Sequence, residues 1–262
     1  WQYKTIDFPC ARKQEAVHIA NLLPEIQESR VPIEFLNDNK VTAKLYFYED
    51  EEWYKITMDW LRQDSFTQVK INDKAFRFSK PYNEKILEVI VTTDNSDVEE
   101  SINSQGIDII AHRGHSYHLT GDTFTSDIKS NAKKLLYLGS CGSFGSAPEL
   151  QSQFPEAFFI ADEDTGRGAD NHRILINLMK QIADGERDWS KIRENVYKNL
   201  GIVQGIVWPH EKSLLLYNFI QRLTGMSIDE LLQKQYGYVP EDLFLVMDRC
   251  EIQEAPYWER IG

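Results

Sequence analysis

Short apolar runs alternate with amphipathic stretches through the middle of the chain. Val41–Tyr48 includes the β-prone run Leu45-Tyr46-Phe47-Tyr48, and Ile86–Thr93 is rich in β-branched residues. Ile107–Ala111, Lys134–Gly139 and Ala157–Ala161 are further apolar runs of strand length. Each reads as a buried strand. Between them, Glu51–Arg62 predicts a helix with Ile56 and Trp60 at helical spacing, and Thr67–Ser79 predicts a short hairpin or edge segment. Ser96-Asp97-Val98-Glu99 is a capping-box pattern. It predicts a short helix that turns Val98 and Ile102 inward and is closed by Gly106 as its C-cap. Ile174, Leu175, Leu178, Met179 and Ile182 mark one amphipathic helix; Trp189, Ile192 and Val196 mark another, ended by Gly201. The tail beyond Ile202 reads as helical, with Lys212–Leu223 and Ile228–Gln235 its best segments.

Strands alternating with helices predict the α/β class, with a mainly parallel sheet flanked by helices on both faces and right-handed crossovers. No internal repeat or low-complexity linker interrupts the chain. The expected organisation is a single domain over residues 1–262, with a core of about 42–200, an N-terminal extension over 1–41 and a helical C-terminal addition over 201–262.

Composition narrows the function classes. With 262 residues, 42% hydrophobic and 27% charged, the chain is globular in composition and can bury a sizeable core. A formal net charge of −12 with no basic stripe argues against nucleic acid and against an anionic membrane surface as partners. No run reaches the apolar length needed to span a bilayer. Cys10, Cys141 and Cys250 are far apart and form no CxxC. Neither a disulfide scaffold nor a structural zinc site is expected, and a reducing, cytoplasmic setting is the simplest reading. The first residue is Trp1, not Met, which leaves a processed terminus and export open.

Active residues in open α/β sheets lie beyond the carboxyl ends of strands. Two strands here end in reactive residue types. One runs into His112-Arg113-Gly114-His115-Ser116-Tyr117-His118, the other into Gly139-Ser140-Cys141-Gly142-Ser143. If the two strands are adjacent and parallel, a thiol and an imidazole meet over one edge. A thiol with pKa ~8.5 is mostly protonated at neutral pH, and a neighbouring imidazole can take its proton or stabilise the thiolate. Small residues around Cys141 admit a substrate backbone, and the amides of Gly114 and of Cys141 or Gly142 are candidates for an oxyanion hole. A lone cysteine after an apolar strand is as often an inert small hydrophobe, and a loop histidine is more often a surface residue; the two motifs together favour catalysis. The glycine beside it favours His115 as the base. His112 would serve if its strand ends early, and His118 lies further along the loop.

The acidic segment Asp162–Asp170 is the next candidate. Asp162, Glu163, Asp164 and Asp170 offer carboxylates to an Arg or Lys of a substrate. The same segment also reads as a solvated turn before a helix, or as a set of oxygen ligands for calcium, although its spacing is not that of an EF-hand.

A strand ending in histidine next to glycine, followed by a strand ending in a small-residue–cysteine motif, resembles the clan CD cysteine peptidases, the group of caspases, legumains, gingipains, clostripain, separases and CHAT proteins. Gly114-His115-Ser116 is similar to the Gly-His-Gly of gingipain- and clostripain-type members, with Ser116 where glycine is usual. Gly139-Ser140-Cys141 stands where caspases have Ala-Cys. Ala157–Ala161, the polar segment after it, the helix bearing Met179, and Gly185 before the Trp189–Tyr197 helix are similar to the order of elements in CHAT-type members. The resemblance covers roughly residues 42–200. It implies a caspase-like three-layer fold and a cysteine endopeptidase, with Cys141 as nucleophile, His115 as base, a peptide or protein substrate, no cofactor and no metal. A regulatory partner or a larger parent chain is left open.

Three other readings compete. Gly139–Ser143 loosely matches a nucleophile elbow, whose base would follow the nucleophile as His172 or His210. His112, His115 and His118, with Cys141, would suit zinc if they converged. A caspase-like fold can also serve as a catalytically silent interaction module. Gly166-Arg167-Gly168 is an incomplete phosphate loop without a Walker lysine, so nucleotide binding is not expected.

Overall fold

The structure, a computed structural model, describes residues 30–162, 166–201 and 206–209. Residues 30–209 make up one compact unit. Of the N-terminal extension expected over 1–41, residues 1–29 lie outside the described residues, while Val31, Phe35 and Val41 are buried in the core. Of the helical addition expected over 201–262, residues 202–205 and 210–262 lie outside, and Ile206–Val207 is a strand rather than a helix, with Trp208 buried beside it.

The elements in chain order are α1 (Glu34–Asn37), β1 (Lys40–Tyr46), α2 (Glu51–Gln63), β2 (Thr67–Lys70), β3 (Ala75–Tyr82), β4 (Lys85–Thr92), α3 (Val98–Asn103) and β5 (Ile109–Arg113). A π-helical turn over Leu119–Thr123 leads to β6 (Leu135–Gly139), a 3₁₀ turn over Ser143–Ser146, α4 (Ala147–Gln153) and β7 (Phe158–Asp162). The last elements are α5 (Gly168–Ala183), α6 (Trp189–Leu200) and β8 (Ile206–Val207).

The strands form one sheet in the order β2-β3-β4-β1-β5-β6-β7-β8. The five strands from β4 to β7 are mutually parallel. Antiparallel strands finish both ends, with β3 on β4, β2 on β3 and β8 on β7. Every residue of β5 and β6 is buried, as expected of central parallel strands covered on both faces.

Strand alternation sorts the side chains into two layers. Val41, Ala43, Leu45, Ile109, Ala111, Leu135, Tyr137 and Ile160 join the core built with α2, α5 and α6 through Met58, Leu61, Leu178, Ile182 and Trp189. On the other face, Lys44 and Tyr46 reach α3: Lys44 Nζ donates to Ser101 Oγ (3.0 Å), and Tyr46 OH donates to the same oxygen (2.8 Å). Phe124 packs edge-on against Phe154 with ring centres 5.9 Å apart. The result is a three-layer α/β fold with a mainly parallel sheet flanked by helices, the architecture expected of a caspase-like chain.

Three local expectations are corrected. The buried face of α2 is Tyr54, Thr57, Met58 and Leu61, an i, i+3, i+4, i+7 stripe, and Ile56 and Trp60 only flank it. The capping box at α3 does not form. Asp97 is the N-cap and makes no capping bond, because its carboxylate bonds Lys44 Nζ and Tyr46 OH instead. A charge-assisted bond to a buried ammonium outweighs an ordinary cap. The helix then ends at Ser104, and Gly106 lies beyond it, its amide held by Ser104 Oγ at 3.2 Å.

The fourth difference bears on the site. The strand expected over 107–111 runs instead over Ile109–Arg113. The Asp108 carboxylate accepts from the Thr42 amide (2.8 Å), which fastens the start of β5 to β1. The strand therefore carries two more residues toward its carboxyl end than the apolar run alone suggests.

Candidate active site

Strands β5 and β6 pair in parallel from Ile109↔Leu135 to Arg113↔Gly139. His115 and Cys141 each follow that last pair by two residues. Equal overhangs from a parallel pair place both at the same carboxyl edge. Cys141 is a free, exposed cysteine. His115 is exposed as well, and its ring stacks on Tyr117 with centres 5.2 Å apart and planes 12° apart. Among the described residues no hydrogen bond links the thiol to an imidazole. Catalytic hydrogen bonds are often open before substrate arrives and tighten around it.

The extra length of β5 separates the roles of its histidines. His112 lies inside the strand and is fully buried. Its Nδ1 is 3.0 Å from Thr123 Oγ1 and its Nε2 is 3.1 Å from the His115 carbonyl oxygen. A carbonyl can only accept, so Nε2 carries the proton and Nδ1 accepts from the Thr123 hydroxyl. Both ring nitrogens are thus committed, and burial lowers the pKa to about 4. His112 is a neutral brace for the turn that carries His115. His118 is held elsewhere, with Nδ1 at 2.6 Å from Asp122 Oδ2 and its ring between Tyr48 and Tyr117. The three histidines point to three different partners, and among the described residues no cluster of His, Cys, Asp or Glu is placed to hold a metal ion.

The His112 brace has a measurable signature. Its folded pKa lies below the unfolded value of about 6.5, so acid favours the unfolded chain, which binds the proton first. The stability contribution is present above pH 6.5 and is lost as pH falls toward 4. Buried Asp108 and Asp162, both raised to about 6 by desolvation, act in the opposite direction: their contribution is largest in acid and is lost as pH rises through 6. Subtracting a His112→Gln variant isolates the histidine. The difference in unfolding free energy between wild type and variant should shrink by about 2–3 kcal/mol from pH 7 to pH 4.5. Urea titrations across that range check it, and a difference independent of pH would refute the brace.

Glycine backbones shape the edge. Gly114 has φ +115°, and a Cβ there would stand 2.8 Å from Asp50 Oδ2 and 3.2 Å from Asp50 Cβ. Gly142 is left-handed (φ +61°) and precedes the 3₁₀ turn, while the Ser143 amide donates to the Ser140 carbonyl at 3.2 Å. Cys141 is therefore the tip of a tight turn. Ser143 Oγ bonds the Leu138 carbonyl and accepts from the Asp162 amide (3.0 Å), joining the ends of β6 and β7. A Cβ at Gly166 would lie 3.1 Å from the carbonyl carbon of Ser140. The chain ahead of α5 thus runs directly beside the cysteine turn. The two glycines expected to offer oxyanion-binding amides, Gly114 and Gly142, sit next to His115 and Cys141 respectively.

The expected substrate-binding carboxylates do not act as one set. Asp162 is buried, its Oδ2 accepts from Asn171 Nδ2 at 2.9 Å, and Tyr137 OH bonds Asn171 Oδ1 at 2.6 Å. Burial raises the Asp162 carboxyl to about 6, opposed by the Asn171 hydrogen bond and the Arg113 charge. Asp162 therefore belongs to a buried network and has little capacity left for a substrate side chain. Asp170 is half-buried in the first turn of α5, 3.9 Å from Arg173. Glu163 and Asp164 lie outside the described residues.

Arg113 and Asp50 went unnoticed in the sequence. With the strand expected to stop at Ala111, Arg113 reads as a loop residue. In the structure it is buried. Its Nη1 donates to the Gly139 carbonyl (3.4 Å) and its Nη2 to the Gly168 carbonyl (3.0 Å). Burial disfavours its charge, while Asp162 and Asp50 support it. Asp50 caps α2 by accepting from the Trp53 amide at 3.3 Å. Trp53 in turn lies against Gly168, where any Cβ would overlap its indole.

The downstream histidines proposed for an elbow-type hydrolase are placed differently. His172 is buried in α5, with Nε2 3.0 Å from Asp64 Oδ2 and its ring against Trp60. His210 is outside the described residues. Compared with protein families, curated sequences and solved structures, the chain finds no match in any of the three.

Proposed function

We propose that this chain is a cysteine endopeptidase that hydrolyses peptide bonds with Cys141 as nucleophile and His115 as general acid and base. The observation that carries the reading is the equal two-residue overhang of His115 and Cys141 from the paired ends of β5 and β6, with both side chains exposed. The engagement of both His112 nitrogens supports His115 over its neighbour.

In the proposed reaction Cys141 Sγ attacks the scissile carbonyl carbon, and its proton passes to His115. The amides of Gly114 and Gly142 donate to the developing oxyanion. The C–N bond breaks as His115 returns the proton to the leaving amine, leaving a thioester on Cys141. Water then attacks the thioester, giving up its proton through His115, and releases a carboxylate and the free thiol. A preference for Arg or Lys before the scissile bond rests on the carboxylates that follow Asp162, namely Glu163, Asp164 and Asp170.

The test is cleavage of a mixed peptide library under reducing conditions by wild type and by His115→Ala at equal concentration. The variant should lose about 10²- to 10⁴-fold in rate, the usual range for removing a general acid–base group. The cut sites report the specificity directly. A folded wild type that cuts nothing in the library would sink the peptidase reading. Full activity in His115→Ala would move the base to His118.

A further inference from the structure

Arg113 is a charged side chain inside the sheet, and its contacts are distributed unusually. It is 4% exposed. One guanidinium nitrogen reaches the Gly139 carbonyl, two residues before Cys141; another reaches the Gly168 carbonyl, at the start of α5. Its own main chain leads through Gly114 to His115. A single planar fork thus ties together three separate stretches: the histidine turn, the cysteine turn and the backbone beside Ser140. Gly139 has no room for a side chain because the guanidinium fills it; a Cβ there would overlap Nη1. The charges of Asp162 and Asp50 favour the cation without a direct ion pair, and Asp50 lies against Gly114.

We infer that Arg113 is a positioning residue for the Cys141–His115 pair: its guanidinium fixes the spacing of the two turns, so that the imidazole can act on the thiol. The inference rests on the proposed dyad. It explains why a permanent cation is kept at a strand end where an apolar residue would be simpler to bury. It also explains why the residue is Arg. Lysine retains the charge, but its single ammonium on a flexible stem cannot hold two carbonyls of separate loops in a fixed plane.

The experiment uses Arg113→Lys, which keeps the buried positive charge, and Gly139→Ala, which displaces the guanidinium while leaving its chemistry intact. The readout is the rate of Cys141 alkylation by iodoacetamide at pH 6, beside wild type and His115→Ala, with Cys141→Ala supplying the background from the other cysteines. Thermal melting confirms that each variant is folded. Wild type should alkylate at least tenfold faster than His115→Ala, and both Arg113→Lys and Gly139→Ala should fall to within about threefold of His115→Ala. For the peptide substrate that wild type cleaves best, the loss should appear in kcat with KM nearly unchanged. A folded Arg113→Lys or Gly139→Ala that alkylates like wild type overturns the inference and leaves the dyad standing. Equal rates in wild type and His115→Ala overturn the dyad, and the inference with it.

Discussion

Cys141→Ala is expected to lower kcat/KM for a cleaved peptide by at least about 10³-fold while leaving the melting temperature within a degree or two of wild type. The two halves of the prediction have different origins. On the proposed mechanism, loss of the Cys141 sulfur removes the covalent route altogether, and what remains is whatever the proposed oxyanion amides and substrate positioning provide against water. Stability is spared because the side chain is exposed at the tip of a turn. The turn itself is kept by the Ser143 amide on Ser140 and by the Ser143 hydroxyl between Leu138 and Asp162. A buried structural cysteine would behave in the opposite way, with stability falling and no specific loss of rate. Steady-state kinetics and a thermal melt on the same preparation separate the two. An active Cys141→Ala protein would end the proposal.

Gly114→Ala should cost about 3 kcal/mol of stability and most of the activity. Two independent penalties add. The residue sits at φ +115°, a conformation that L side chains rarely adopt. The new methyl would also press on the Asp50 side chain, which is itself buried and cannot withdraw without losing its cap on the Trp53 amide. Urea unfolding at pH 7 measures the cost. A loss below about 1 kcal/mol would mean that the turn relaxes freely, and with it the placement of His115. By contrast, Gly142→Ala meets open space and should cost only its left-handed φ of +61°, about 1 kcal/mol.

Much of the sheet was legible because buried parallel strands are written as near-continuous apolar runs. Leu135-Leu136-Tyr137-Leu138 and Phe158-Phe159-Ile160-Ala161 sit where those runs predict. The expectation that the histidine and cysteine motifs end neighbouring parallel strands also holds in the sheet order. Legibility failed where polar groups are buried in pairs. Asp97 has the sequence neighbours of a capping motif, but it answers to Lys44, which is distant in the chain. Arg113 looks like surface because nothing local announces its partners, the carbonyls of Gly139 and Gly168. The brace from His112 to the His115 carbonyl depends on where β5 starts. That is set by the Asp108 bond to Thr42 rather than by any apolar residue. Hydrophobic periodicity locates elements, but the partners of a buried charge are fixed only by topology.

The parallel sheet also orders events in time. Parallel neighbours need long crossover connections, so their pairing is non-local and slow compared with a hairpin such as β2–β3. Cys141 leaves the ribosome before Asp162, Gly166 and Gly168, the residues that finish its surroundings. Until β7 and α5 have docked, the turn that carries it is an unfinished edge. On the proposed reading, a competent site is then among the last features the chain acquires, and an emerging copy cannot cut its neighbours.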